Sequence, residues 1–250
     1  MADTHAKATL QDWTRSIPAS ALLASTMLSC DLPLRAINKL RGRESLVDAG
    51  HLLAKVMWQA FAMTGATLEV VGREHIDPSA RYLIVANHQG FSDVIVIATA
   101  LRELKPRYVA KRELAHGWPS ISYLITASGS AVIDRKQPEA AIAEIERLGR
   151  DAKREGWNVA IFPEGTRAKD GVARTWKVRG TQALLDATRP CKVLPVSLIG
   201  GSELFAHNGL PFTANVRMRC HVHPPIDPPE PSEDFAAWLE TVRQTVSSVL

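Results

Sequence analysis

Beyond residue 66 the chain alternates short aliphatic and β-branched runs with stretches whose apolar residues recur at helical spacing. Residues 67–71, 82–86, 107–110, 131–133, 159–162 and 193–198 read as strands, and helical patterns near 93–104, 138–155 and 181–188 lie between them. That alternation predicts an α/β fold: a single mostly parallel or mixed sheet flanked by helices. A last strand near 216–222 leads through the Pro-rich stretch 224–231 into an amphipathic helix from about Phe235, with Ser232 as its expected N-cap.

The first part of the chain is patterned differently. Across 32–61, Leu34, Ile37 and Leu40, then Leu53, Val56, Met57, Ala60 and Phe61, fall at helical spacing, which predicts two amphipathic helices joined near 42–50. The most apolar stretches are 17–34, interrupted by Pro18, Asp31 and Pro33, and 51–65, interrupted by Lys55 and Gln59. Neither is expected to cross a bilayer, which takes about eighteen or more uncharged apolar residues. Arg35, Lys39, Arg41 and Arg43 crowd one side of the first stripe, and Trp58 lies in the second. The stripes suit either the headgroup region of an anionic leaflet or simple packing on the rest of the protein. The division expected is an N-terminal helical, membrane-associating segment, 1–65, and a second domain, 66–250. Met27-Leu28-Ser29-Cys30 loosely matches a lipoprotein cleavage site, but the preceding flank mixes Asp3 and Asp12 with Lys7 and Arg15.

Composition changes this picture only modestly. With 250 residues there is enough chain for one sizeable core, and a formal charge of +4 marks no strongly basic protein. Cys30, Cys191 and Cys220 are odd in number and lack C-x-x-C spacing, which predicts neither a disulfide framework nor a zinc cage and makes a reducing, cytoplasmic compartment the default. Nucleic-acid binding is disfavoured, because the basic residues are interspersed with acids and no reader motif is present. Cys220-His221-Val222-His223 looks metal-like, yet strand alternation puts Arg217, Arg219, His221 and His223 on one face, a solvated basic one, and no companion ligands stand nearby. His5, His51, His75, His116 and His207 have no partners identifiable from sequence.

The chemistry concentrates where apolar strands end. Tyr82-Leu83-Ile84-Val85-Ala86 runs into Asn87-His88-Gln89-Gly90-Phe91-Ser92-Asp93, a strand-to-helix junction of the kind that places side chains on the rim of an α/β sheet. With a turn at Gly90 and a helix starting near Ser92, Asp93 can fold back to His88, fix its tautomer and leave the other ring nitrogen to accept a proton. A His and an Asp five residues apart are, alone, more often a capping or core pair. No G-x-S-x-G elbow supplies a nucleophile, so a substrate hydroxyl would have to serve. Phe162-Pro163-Glu164-Gly165-Thr166-Arg167 again follows an apolar strand, and 128–135 ends in Arg135, whose fork suits a phosphate or carboxylate.

Together these blocks resemble the glycerolipid acyltransferases of the 1-acylglycerol-3-phosphate acyltransferase type, over roughly 70–198. Asn87-His88 through Asp93 resembles the family's N-H-x-x-x-x-D motif, and Tyr108-Val109-Ala110-Lys111-Arg112-Glu113-Leu114 its A-K-x-E-L segment. Gly129 through Arg135 resembles the second block, 162–167 is its F-P-E-G-T-R, and Leu194-Pro195-Val196 resembles its final apolar block. The resemblance implies His88 as general base, Asp93 as its partner, and an acceptor or phosphate site formed by Lys111, Arg135, Glu164, Gly165, Thr166, Arg167 and Lys177. It further implies direct transfer from acyl-CoA or acyl-carrier protein to a lyso-lipid, without metal or cofactor, at the cytoplasmic face of a membrane by a peripheral or monotopic protein. One departure concerns the acceptor: the family's aromatic-Lys-Lys-Gly run is replaced by Trp176-Lys177-Val178-Arg179-Gly180 at stretched spacing. A lyso-phospholipid, lyso-ornithine lipid or other acceptor therefore stays open beside 1-acylglycerol-3-phosphate, as does a non-catalytic lipid-binding protein of the same fold.

Overall fold

The computed structural model describes residues 7–166 and 175–250. Arg167, expected in the acceptor site, lies outside the described residues. In chain order the main elements are α1 (Leu10–Met63), β1 (Thr67–Val71), β2 (Tyr82–Ala86), α2 (Ser92–Ala100), β3 (Arg107–Lys111), α3 (Ile121–Ala127) and β4 (Ala131–Ile133). There follow α4 (Pro138–Glu155), β5 (Val159–Ile161), α5 (Val178–Thr188), β6 (Lys192–Ile199), α6 (Gly201–Leu204), β7 (Arg217–Val222) and α7 (Phe235–Ser247).

The seven strands form one mixed sheet in the order β1-β7-β6-β2-β5-β3-β4, in which only β6 and β7 pair antiparallel. The central strand β2 is buried along its whole length because both faces of the sheet are covered. Tyr82, Ile84 and Ala86 join a core with the second limb of α1 and with α2, while Leu83 and Val85 join another with α4, α5 and α7. Since β2, β3, β4 and β5 run parallel, their C-terminal ends share one rim. The motifs that follow those four strands are thereby gathered from 87 to 166.

The first helix begins at Leu10, well before the helical pattern expected from 32, and runs through Pro18 and Pro33; both prolines are exposed, so the carbonyls they orphan can face solvent. Thr9 and Asp12 cap it reciprocally. Gly42, at φ 81° and ψ 179°, divides α1 into limbs 10–41 and 43–63. By length and composition α1 is able to cross a membrane: its most apolar window has a mean hydropathy of 1.3 and is only 22% buried. Trp58, expected as a candidate headgroup residue, is instead buried with Met57 and Phe61 in the core. Asp234, not Ser232, caps the last helix, accepting from the amides of Ala236 and Ala237. His223, expected on a solvated face, is buried and bonded to Ser197 Oγ at 2.7 Å, and burial lowers its pKa to about 4.

Candidate active site

The junction after β2 is held in place from two sides. Asn87 bonds both backbone groups of Leu198, donating to its carbonyl at 2.8 Å and accepting from its amide at 2.7 Å, so the chain leaving β2 is tied to β6. On the other side, Glu164 Oε1 accepts the His88 amide at 3.2 Å, which ties it to the turn after β5. His88 is thus clamped by neighbours on both flanks of the central strand.

Asp93 stands in the first turn of α2 and its side chain folds back over the turn. Its Oδ2 accepts from His88 Nδ1 at 2.8 Å and from the amides of Gln89 at 2.6 Å and Gly90 at 2.8 Å. With Nδ1–H donating to the carboxylate, Nε2 is the nitrogen left to accept a proton. Asp93 is buried and His88 is only partly so, an arrangement that fixes the ring from behind and leaves its other edge accessible. The His88 ring also stacks on Phe162, with centroids 4.3 Å apart.

Two glycines make this close packing possible. A Cβ at Gly201 would sit 2.7 Å from Asp93 Oδ1, and one at Gly90 would sit 3.1 Å from the Gly201 carbonyl oxygen. Gln89 Oε1 in turn accepts the Gly201 amide at 3.0 Å. Gly201 and the pairing of Asn87 with β6 were missed from sequence, since both depend on a contact more than a hundred residues away.

In front of His88 opens a cavity of about 760 Å³. Its apolar wall is supplied by Leu53 and Met57 of α1, Ile95 of α2, and Leu124 and Ile125 of α3, an element that sequence patterning did not predict. Tyr108 and His51 also line it; burial pushes the Tyr108 hydroxyl up and the His51 imidazole down, so both present neutral groups. Nδ1 of His51 bonds the Ala98 carbonyl at 3.0 Å.

The cations expected at the acceptor site are distributed as follows. Lys111, Arg135 and Lys177 line the cavity together with Gly165 and Thr166. Lys111 is also paired with Glu113 at 3.0 Å. Lys177 lies across Gly165, whose φ of +66° and lack of a side chain permit it: a Cβ there would be 2.9 Å from Lys177 Cε. Arg179 is turned elsewhere, with both terminal nitrogens on Glu139 of α4 at 2.8 and 2.7 Å. Among the described residues no group of three or more His, Cys, Asp or Glu could hold a metal ion.

This geometry can therefore deprotonate a hydroxyl beside a largely apolar cavity whose lining includes Lys111, Arg135 and Lys177. The comparison with known proteins points the same way. A family model described as Acyltransferase matches residues 67–199, more than half of the chain. The 1-acyl-sn-glycerol-3-phosphate acyltransferase alpha of Mus musculus is 26% identical over 211 residues, covering 84% of this chain and 72% of its own. A 1-acyl-sn-glycerol-3-phosphate acyltransferase of Pseudomonas aeruginosa is 30% identical over 141 residues, 56% of this chain and 52% of its own. The crystal structure of the 1-acyl-sn-glycerophosphate (LPA) acyltransferase PlsC from Thermotoga maritima shares the fold, with a TM-score of 0.72 at 20% identity over 95% of this chain and 97% of that one. The chain belongs to the acyltransferase family, and it is an O-acyltransferase.

Proposed function

We propose that the enzyme transfers a fatty acyl group from acyl-CoA or acyl-carrier protein directly to the free hydroxyl of 1-acylglycerol-3-phosphate, forming phosphatidic acid without metal or cofactor. The observation that carries this reading is His88, backed by buried Asp93 and fronted by an apolar cavity whose lining includes Lys111, Arg135 and Lys177. In this mechanism Nε2 of His88 takes the hydroxyl proton while the oxygen attacks the thioester carbonyl; the carbon–sulfur bond then breaks and the leaving thiolate recovers the proton. A thioester is already an activated donor, so a positioned base supplies a useful share of the rate. The cavity holds hydrocarbon, and Lys111, Arg135 and Lys177, beside the turn of Gly165 and Thr166, serve the acceptor's phosphate, with Arg167 expected to join them by resemblance.

A second acceptor class is favoured by one feature. Arg179 is committed to Glu139, which leaves Lys177 as the cation of its segment at the cavity and suits a lyso-lipid with a different headgroup, such as a lyso-phospholipid or lyso-ornithine lipid. Purified enzyme given palmitoyl-CoA or palmitoyl-carrier protein with a panel of lyso-lipids separates the two: turnover is expected to be fastest with 1-acylglycerol-3-phosphate. Product from another lyso-lipid alone would reassign the acceptor and keep the chemistry.

The membrane contact follows from the first limb of α1, where Leu10, Trp13, Ile17, Leu28 and Leu32 are exposed and Lys39 and Arg41 follow them. In the proposed reading this limb seats the enzyme on the anionic cytoplasmic leaflet as a peripheral or monotopic protein. Replacing Trp13, Ile17, Leu28 and Leu32 together by serine should lower sedimentation with anionic phospholipid vesicles at least about tenfold, because each buried apolar side chain contributes on the order of 1 kcal/mol or more. Unchanged sedimentation would remove this limb from the membrane contact.

A further inference from the structure

The imidazole of His88 has two supports acting on different atoms. Asp93 holds one edge through Nδ1, and Phe162 covers one face, its plane inclined by only 21° at a centroid separation of 4.3 Å. The second support is built into the sheet. Phe162 is the residue immediately after β5, and β5 pairs in parallel register with β2, Ile161 opposite Val85, so the two chains emerge side by side on the same rim. Pro163 and Glu164 then turn away, with the Glu164 carboxylate taking the His88 amide.

An aromatic face carries the negative part of the ring quadrupole. Against a neutral imidazole it contributes packing alone, whereas against an imidazolium it adds a cation–π attraction. Only interactions stronger in the transition state than in the ground state accelerate a reaction, and imidazolium character is gained only as the base takes its proton. A ring at this position therefore discriminates between the two states.

We propose that Phe162 is a positioning residue for acyl transfer: its face fixes the plane of the His88 ring and stabilises the imidazolium formed while His88 holds the acceptor's proton. This rests on the reading of His88 as general base. The proton passes from the acceptor oxygen to Nε2 as the new oxygen–carbon bond forms, and returns from the imidazolium to the thiolate once the carbon–sulfur electron pair has left on sulfur. The charged groups packed around the ring are Asp93 from α2 and Glu164 from the turn after β5, with Lys111, Arg135 and Lys177 on the cavity lining. None of these is altered by a change confined to the Phe162 ring.

The test is a series of mono-, di- and trifluorinated phenylalanines incorporated at position 162, which weaken the negative face while nearly preserving ring shape. The single-turnover rate of acyl transfer is expected to fall stepwise with fluorine number, by about 2- to 30-fold in total, with KM for both substrates and the melting temperature little changed. Phe162→Leu should lose at least as much, and Phe162→Tyr should restore most of the rate. A flat fluorine series, whatever Phe162→Leu does, would show that the ring merely fills space and would overturn the proposal. His88→Ala in the same assay keeps the two claims apart: full activity there defeats the base reading, whereas an inactive His88→Ala beside a flat series defeats the role of Phe162 alone.

Discussion

Replacing His88 by alanine should lower the rate of acyl transfer by about 10²–10⁴-fold, the range contributed by a well-placed general base. The expectation comes from the division of labour on the ring. Nδ1 is committed to an Asp93 oxygen that already accepts two backbone amides, so the carboxylate cannot swing away, and Nε2 is the ring's remaining proton acceptor. Alanine removes that acceptor but leaves the cavity and its cations in place. The loss should consequently fall on kcat, with KM for acceptor and donor changed less than about threefold. Stability should change little, because His88 is partly exposed and its backbone amide keeps its bond to Glu164. Steady-state kinetics beside a thermal melt would check both parts. A variant with more than about a tenth of the wild-type kcat would show that His88 is not the base.

The largest effect on stability is expected at a residue outside the motifs. Arg107 begins β3, is 1% exposed, and spreads its guanidinium over four partners: Ser128 O at 3.0 Å, Lys105 O at 2.8 Å, Glu44 Oε1 at 2.5 Å and the face of Trp157 at 4.4 Å. Burial lowers its pKa and the Glu44 carboxylate opposes that shift. Glu44 also accepts from Trp157 Nε1 at 3.1 Å, so one arginine joins the second limb of α1 to β3 and to the segment between α4 and β5. Arg107→Ala would orphan the buried Ser128 carbonyl and the partly buried Lys105 carbonyl, leave Glu44 without its arginine and open space beside the cavity, and the lost hydrogen bonds and packing together cost about 3 kcal/mol. In a chain of this size the melting temperature should drop by about 6–12 °C. Calorimetry is the check. A drop of less than about 2 °C would mean that the network is replaceable by water.

Much of the fold was legible from pattern alone. The strand 82–86 and the helix 138–155 coincide with β2 and α4, because a short, wholly apolar run between turn residues and a long amphipathic period each admit one reading. The short helix α3 was not legible: none of its residues is fully buried, and its apolar side chains line the cavity at the edge of the core. The continuous first limb of α1 was hidden by a different cause: its prolines interrupt the apolar run, yet the helix tolerates them because they face outward.

At the site, local sequence determined that His88 and Asp93 are within reach of each other, since five residues bent around a helix start bring the two side chains together. It also determined which blocks carry charge, and the resemblance of their order to one family. Only the tertiary structure decided which of those blocks meet. Parallel pairing of β2 with β5 sets Phe162 against His88 and brings Glu164 to its amide; β6 pins Asn87 and presents Gly201 where Asp93 needs room; the bond to Glu139 withdraws Arg179. The reason is physical: hydrophobic period and turn chemistry act over a few residues, whereas strand order and the closeness of packed backbones are properties of the whole sheet, reached only when distant segments bury one another.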